Sequence, residues 1–333
     1  MHDAINHWLE SAGGAAPWFC LAFFLVGSLL MVWRLESISA SGVEGTVLGT
    51  LVMPYCSGLG NLVFAYVLGR SGGDSREIMT NCLVNNVTNM TLLIGLPAIF
   101  WGLSFESQKS IKRKGKGTGD PHRVNRLSLL LTLIAALFFT GILWALGRDG
   151  RLEFTDGLVL VGLFLFWQAF HVFEVLKANV ERKRSFGFML VIDLALLLAG
   201  AYAVYVSTGW LVNWVQSVRT GFISATRLGW LSGWLMVLPN ALLALYYAAR
   251  RRPEVVYSSQ IGDGHICIPL CIGVFALFHP IPIPDFFQLG VGILLGAAAV
   301  HFFCIAVPGK LPRAIGALLV LGYGVFLWKG LGK

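Results

Sequence analysis

Charge is scarce in this chain of 333 residues. Asp, Glu, Lys and Arg make up 13% of it, about half the share of an ordinary soluble domain. Hydrophobic residues make up 56%, with 11 Trp and 23 Phe. Too little polar surface remains to cover a water-soluble globule, and the chain is far too apolar to be disordered. Acid is the scarcer sign, with 17 Asp and Glu against 25 Lys and Arg. In a membrane protein that basic excess sits in loops that fix orientation, so it does not point to nucleic acid. The six cysteines (Cys20, Cys56, Cys82, Cys267, Cys271 and Cys304) all lie in apolar runs, which excludes a framework of extramembrane disulfides. There is no CxxC. Cys267 and Cys271 share a helix face but lack His or Cys partners at metal-ligand spacing. No P-loop, HExxH, GxSxG or Rossmann glycine motif occurs, and Gly58-Leu59-Gly60 lacks both a strand and a third glycine. The chain is therefore not expected to be an enzyme or to carry a cofactor. The segment before the first apolar run has no Lys or Arg, so that run reads as a retained span and not a signal peptide.

What the sequence has in plenty is long apolar runs. Stretches of about 20 apolar residues are spanning-helix candidates. Ten occur: 17–33, 43–69, 77–103, 127–147, 154–177, 186–207, 219–249, 254–279, 286–307 and 311–329. The expected fold is an all-α polytopic membrane protein. With the spans numbered in order, 17 Lys and Arg follow odd-numbered spans and 8 follow even ones. The positive-inside rule then places both termini outside an inner (plasma) membrane. The largest loop, 104–126, is basic and glycine-rich. It reads as a cytoplasmic topogenic loop that could dock anionic lipid headgroups or an acidic protein partner.

Ten spans divide into five plus five, and an odd number per half requires the halves to be inverted. Matching oddities in the two halves support that division. Pro54 and Pro239 each sit inside an apolar run, where proline removes a backbone donor. Span 3 carries Asn81, Asn85 and Asn89 at four-residue spacing, one face of a helix, flanked by Asn86 and Thr88. In span 8, Ser259, Asp263 and Cys267 repeat that spacing, with Gly262 and Gly264 beside the acid. An ionisable group so deep in an apolar run is a functional-site candidate. Asp193 in span 6 is a second one. Glu44 and Glu77 fall at span ends, and His171 and Glu174 are placed to pair across a helical turn. His265 stands two residues from Asp263, a step that turns the two about 100° or more apart around a helix, so an intramembrane enzyme is the weakest reading.

This pattern resembles the sodium/calcium exchanger (cation/Ca2+ antiporter) superfamily. Each half of that family has a helix with G-T-S-x-P-E and then a helix with G-N-x-x-G-S-N-x-x-N/D. Thr80 to Asn89 matches the second motif at Asn81, Asn86 and Asn89. In the other half Gly262, Asp263, Gly264 and Cys267 take the places of its Gly, Ser, Asn and final Asn/Asp. Pro54 and Pro239 stand at the proline of the first motif. The glutamates that follow that proline in the family are Tyr55 and Asn240 here, and Val52 and Val237 precede it.

The resemblance implies ten transmembrane helices as two inverted five-helix repeats. The first repeat is 1–176 (motif region 43–103) and the second 186–333 (motif region 230–279), with a cytoplasmic linker at 177–185. It implies a secondary transporter that exchanges cations across the bilayer by alternating access. The expected ion site comprises Asp263, Asn85, Asn89, Asn240, Tyr55, Asn81, Asn86 and Ser259. Helix breaks are expected at Pro54, Pro239, Gly58, Gly262 and Gly264. With one carboxylate, the set suits a monovalent cation or a proton on Asp263 better than Ca2+. The alternative is an exchanger-like scaffold that no longer transports and serves a larger assembly.

Overall fold

The computed structural model describes residues 13–40, 53–105, 121–179 and 188–332. Glu44, the loop residues 106–120 and most of the 177–185 linker (180–185) lie outside the described residues, as do the side chains of Pro54, His171 and Glu174. The chain is built from long helices. In order they are α1 (Ala16–Ala40), α2 (Met53–Ser71), α3 (Arg76–Trp101), α4 (Pro121–Leu146), α5 (Phe154–Asn179), α6 (Phe188–Ser217), α7 (Leu228–Ala249), α8 (Pro253–Ala276), α9 (Phe287–Ala306) and α10 (Arg313–Leu331). Among the described residues, eight helices are long and apolar enough to cross a membrane. α2 falls short of that measure because Asn61, Arg70 and its glycines dilute it, and in α5 the described side chains of the apolar stretch run Phe154–Phe170.

Two boundaries differ from those expected from hydropathy. α6 continues past residue 207 to Ser217, because the Ser207 hydroxyl donates to Ala203 O (2.6 Å) and stays within the helix. α7 starts at Leu228, not at 219. The apolar residues Phe222 and Ile223 belong to a loop that contains Gly221 at φ +95°, and Phe222 lies under the Arg227 guanidinium (5.0 Å).

The proline and glycine positions also behave differently from helix breaks. α7 runs on as α-helix through Pro239, and Gly262 and Gly264 lie within the α-helical segment Pro253–Ile266. The irregularity falls one turn later, in π-helical segments at Thr88–Leu92 of α3 and Cys267–Ile272 of α8. Local chemistry accounts for both. In α8, Pro269 lacks an N–H and its ring needs the wider turn. In α3, Asn86 Nδ2 and Thr88 Oγ1 donate to the carbonyls of Cys82 (2.7 Å) and Val84 (2.6 Å), competing with the helical ladder.

α3 and α8 form the interior. Their apolar windows are 78% and 83% buried, against 22% for α10. α2 packs on α8, and α7 packs on α3. Two short antiparallel ladders tie the helix ends. Strand β1 (Leu103–Ser104) pairs with β4 (Lys310–Leu311), and β2 (Arg151–Leu152) pairs with β3 (Ile281–Pro282). Next to each ladder two glycines bring backbones together. A Cβ on Gly95 would lie 2.8 Å from Gly316 O, and one on Gly157 would lie 2.8 Å from Gly273 O. One sequence offset relates Asn85 to Asp263, Gly95 to Gly273 and Leu103 to Ile281. A second relates Arg151 to Lys310 and Gly157 to Gly316.

Gly95→Ala is therefore expected to lower stability by about 1–3 kcal/mol through overpacking. Gly141→Ala, with nothing within 4 Å of the added methyl, should instead be neutral or gain up to about 1 kcal/mol. Thermal unfolding in detergent distinguishes the two, and equal shifts would contradict the close-approach argument.

Candidate ion site between the interior helices

The π-helical segments leave backbone groups that the side chains around them must satisfy. His301 of α9 is fully buried. Its Nε2 donates to Met90 O in the α3 π-segment (2.8 Å), and its Nδ1 accepts from the Tyr257 hydroxyl (3.0 Å). That assignment fixes a neutral ring in one tautomer. His265 turns away from Asp263: its Nε2 reaches Thr132 O (3.0 Å) and its ring packs edge-on against Phe139 and Trp167.

Asp263 lies near the middle of α8 and is fully buried. Its Oδ2 accepts from Asn240 Nδ2 of α7 (2.7 Å) and from Asn89 Nδ2 of α3 (3.2 Å). Asn89 Nδ2 also donates to Asn85 Oδ1 (2.7 Å). Three helices therefore converge on one carboxylate. Gly264 permits this approach, since a Cβ there would sit 2.9 Å from Asn86 Oδ1. Gly58 likewise lets α2 close on Ile266 of α8 (2.7 Å from a built Cβ).

Of the expected residues, Asp263, Asn85, Asn89 and Asn240 come together. Asn81, one turn out from Asn85, donates to Ser232 Oγ of α7 (3.0 Å). Asn86 bonds within α3 and faces Gly264. Ser259 donates to Val256 O (3.1 Å) and accepts from Gln260 Nε2 (2.9 Å). Tyr55 packs edge-on against Phe164, ring centroids 6.0 Å apart. Asp193 lies apart from the cluster, in an ion pair with Arg34 (3.2 Å) that joins α6 to α1. Ser37 Oγ donates to the same carboxylate (3.3 Å), and the Arg34 guanidinium stacks on Trp33 (3.7 Å).

The stripe on α3 extends further than the asparagines. Glu77 stands four residues before Asn81 and accepts the Gly229 N–H at the start of α7. It lines a cavity of about 730 Å³ with Asp74, Thr80, Asp285 and Lys329. Glu77, Asn81, Asn85 and Asn89 thus form a polar line from that cavity to Asp263.

Three residues here carry no motif in the sequence. Gln260, one turn before Asp263, is fully buried, and its Nε2 also donates to Asn240 O (3.2 Å). The turn spacing to Asp263 was the available signal. His301 had none, since its partner is a main-chain carbonyl. Asn61 is fully buried on α2, and neither atom of its amide has a hydrogen-bond partner among the described residues.

Residues 15–173 and 192–329 match the family model described as sodium/calcium exchanger protein. The chain belongs to the sodium/calcium exchanger family. Solved structures agree in fold. The sodium-calcium exchanger NCX_Mj soaked with 2.5 mM Na+ and 10 mM Sr2+ superposes with a TM-score of 0.64 at 22% identity, over 92% of this chain and 94% of that one. NCX_Mj soaked with zero Na+ and Ca2+ gives a TM-score of 0.62 at 21% identity, over 92% of this chain and 94% of that one. No curated protein matches the sequence. Within the family pattern, this exchanger-family chain has Tyr55 and Asn240 where glutamate follows the motif proline.

His301→Phe leaves Met90 O without its donor in a dry interior. The expected cost is about 1–3 kcal/mol of stability. Tyr257→Phe on that background should cost little more, because its partner is already gone. A double-mutant cycle by chemical denaturation checks the coupling, and fully additive losses would contradict it.

Proposed function

We propose that the protein is a membrane cation antiporter that binds its ion where α3, α7 and α8 meet and exposes it alternately to the two sides. The observation that carries this reading is Asp263, a fully buried carboxylate held by Asn89 and Asn240 from two other helices. A charge at such depth is expensive unless function retains it. The asparagine amides hold it here through their N–H groups, and each can present its oxygen to a cation by turning about its terminal torsion.

The architecture that fits is ten spans in two inverted halves, 1–176 and 186–333, joined by 177–185. Its support is the reciprocal pattern of contacts. The end of α3 pairs with the start of α10, as the end of α8 pairs with the start of α5. The glycine contacts beside the ladders and the offset that relates Asn85 to Asp263 follow the same relation. The split of basic residues supports both termini outside a plasma (inner) membrane, with loop 104–126 inside as a docking surface for anionic lipid or an acidic partner. Ca2+ takes six to eight oxygens, commonly with several carboxylates, and the cluster has one carboxylate.

Tracer exchange in sealed proteoliposomes tests the proposal. Wild-type protein should exchange a cation across the membrane. Asp263→Asn, folded by its unfolding profile, should lose at least about tenfold in rate. Unchanged exchange in the variant would remove Asp263 from the site. No exchange of any cation by wild type, with partner proteins co-purifying, would favour the non-transporting scaffold.

A further inference from the structure

Gln260 is one of the three residues of this region that no motif covers. It is fully buried. Its Nε2 is committed twice, to Asn240 O (3.2 Å) and Ser259 Oγ (2.9 Å). Its Oε1 is buried with no hydrogen-bond partner among the described residues, and the same holds for Asn89 Oδ1. Buried acceptors of this kind are rare, because losing water without gaining a donor is costly. Both belong to residues within two hydrogen bonds of Asp263: Asn89 bonds it directly, and Gln260 bonds Asn240, which bonds it. Two buried amide oxygens without donors therefore belong to the hydrogen-bonded network of one carboxylate.

The charge count is equally specific. Asn85, Asn89, Asn240 and Gln260, which build this network with Asp263, are all neutral. Glu77, the nearest acid along the α3 stripe, is occupied by the Gly229 N–H at the far end of that stripe. A cation of charge +1 at Asp263 is balanced by the carboxylate alone. A divalent ion would leave an uncompensated charge in a low-dielectric interior. The histidines His265 and His301 are both committed to main-chain carbonyls.

We infer that Gln260 is a specificity-determining ligand, whose neutral Oε1 completes an oxygen set with a single negative charge and so selects a monovalent alkali cation. This rests on the reading of Asp263 as the ion site. Glutamate at position 260 would supply the second carboxylate that a divalent ion needs.

The test is thermal unfolding of purified full-length protein in mild detergent, titrated with NaCl, KCl, LiCl or CaCl2 at ionic strength held constant with choline chloride. Ligand binding to the folded state raises the midpoint, so apparent affinities can be read from the shift. At least one alkali cation should stabilise the wild type, with Ca2+ at least about tenfold weaker. Gln260→Leu should weaken the alkali response about tenfold, and Gln260→Glu should raise the Ca2+ response by a similar factor. Ca2+ binding to wild type more tightly than any alkali cation would overturn the inference. So would a Gln260→Glu variant that folds and leaves the Ca2+ response unchanged. Asp263→Asn separates the two levels of the argument. If it keeps the wild-type cation response, the ion site itself is misplaced; if it loses the response while both Gln260 variants match wild type, only the role of Gln260 fails.

Discussion

A carboxylate buried in the middle of a membrane-sized helix bundle must be held by donors, and the fold is arranged around that need. Asp263 is satisfied by amides from α3 and α7. Those amides reach it only because the helices approach closely, and the approach depends on Gly264 facing Asn86. The interior helices cannot be regular where side chains compete with the backbone in α3 and Pro269 removes a donor in α8, so each carries a π-helical segment beside the cluster. The backbone freed there is met by a buried side chain such as His301. Composition follows the same logic. A chain with 13% charged residues keeps few acids inside, and among the described residues Asp193 pairs with Arg34, Glu77 bonds Gly229 and Asp263 bonds two asparagines.

The reciprocal contacts give the bundle its frame. Gly95 against Gly316 and Gly157 against Gly273 are backbone-to-backbone contacts, which only residues without a side chain permit. With the two short ladders beside them they pin α3 to α10 and α5 to α8. On the inverted-half reading these are the same contact made twice. That places Asn85 and Asp263, the equivalent residues of the two halves, within one hydrogen-bonded network. Of that pair of positions one carries a carboxylate and the other an amide, and that difference sets the charge of the site.

Much of this was legible before any coordinates. The membrane class followed from scarce charge, and the four-residue stripe of asparagines and the buried acid pointed to each other because both violate the apolar pattern. Asn240 was reached through its proline. The rest depended on tertiary partners. Gln260 looks like an ordinary polar residue until Asn240 O is seen beside it, and His301 until Met90 O is seen. Hydropathy extended the seventh span back to 219 because Phe222 and Ile223 are apolar, although they cover a loop. The prolines looked like breaks, yet α7 passes through Pro239 and the irregularity appears at the neighbouring helices. Local pattern marks which residues are unusual; only packing decides which partner answers them.

The most direct measurement is an anomalous-scattering map of crystals soaked in a heavy monovalent cation, Tl+ or Rb+. The account predicts a peak within coordinating distance of the Asp263 carboxylate, contacted by oxygens of Asn89 and of the Asn240 and Gln260 pair. Saturating soaks with no peak at Asp263, or with the ion bound elsewhere in the bundle, would contradict it.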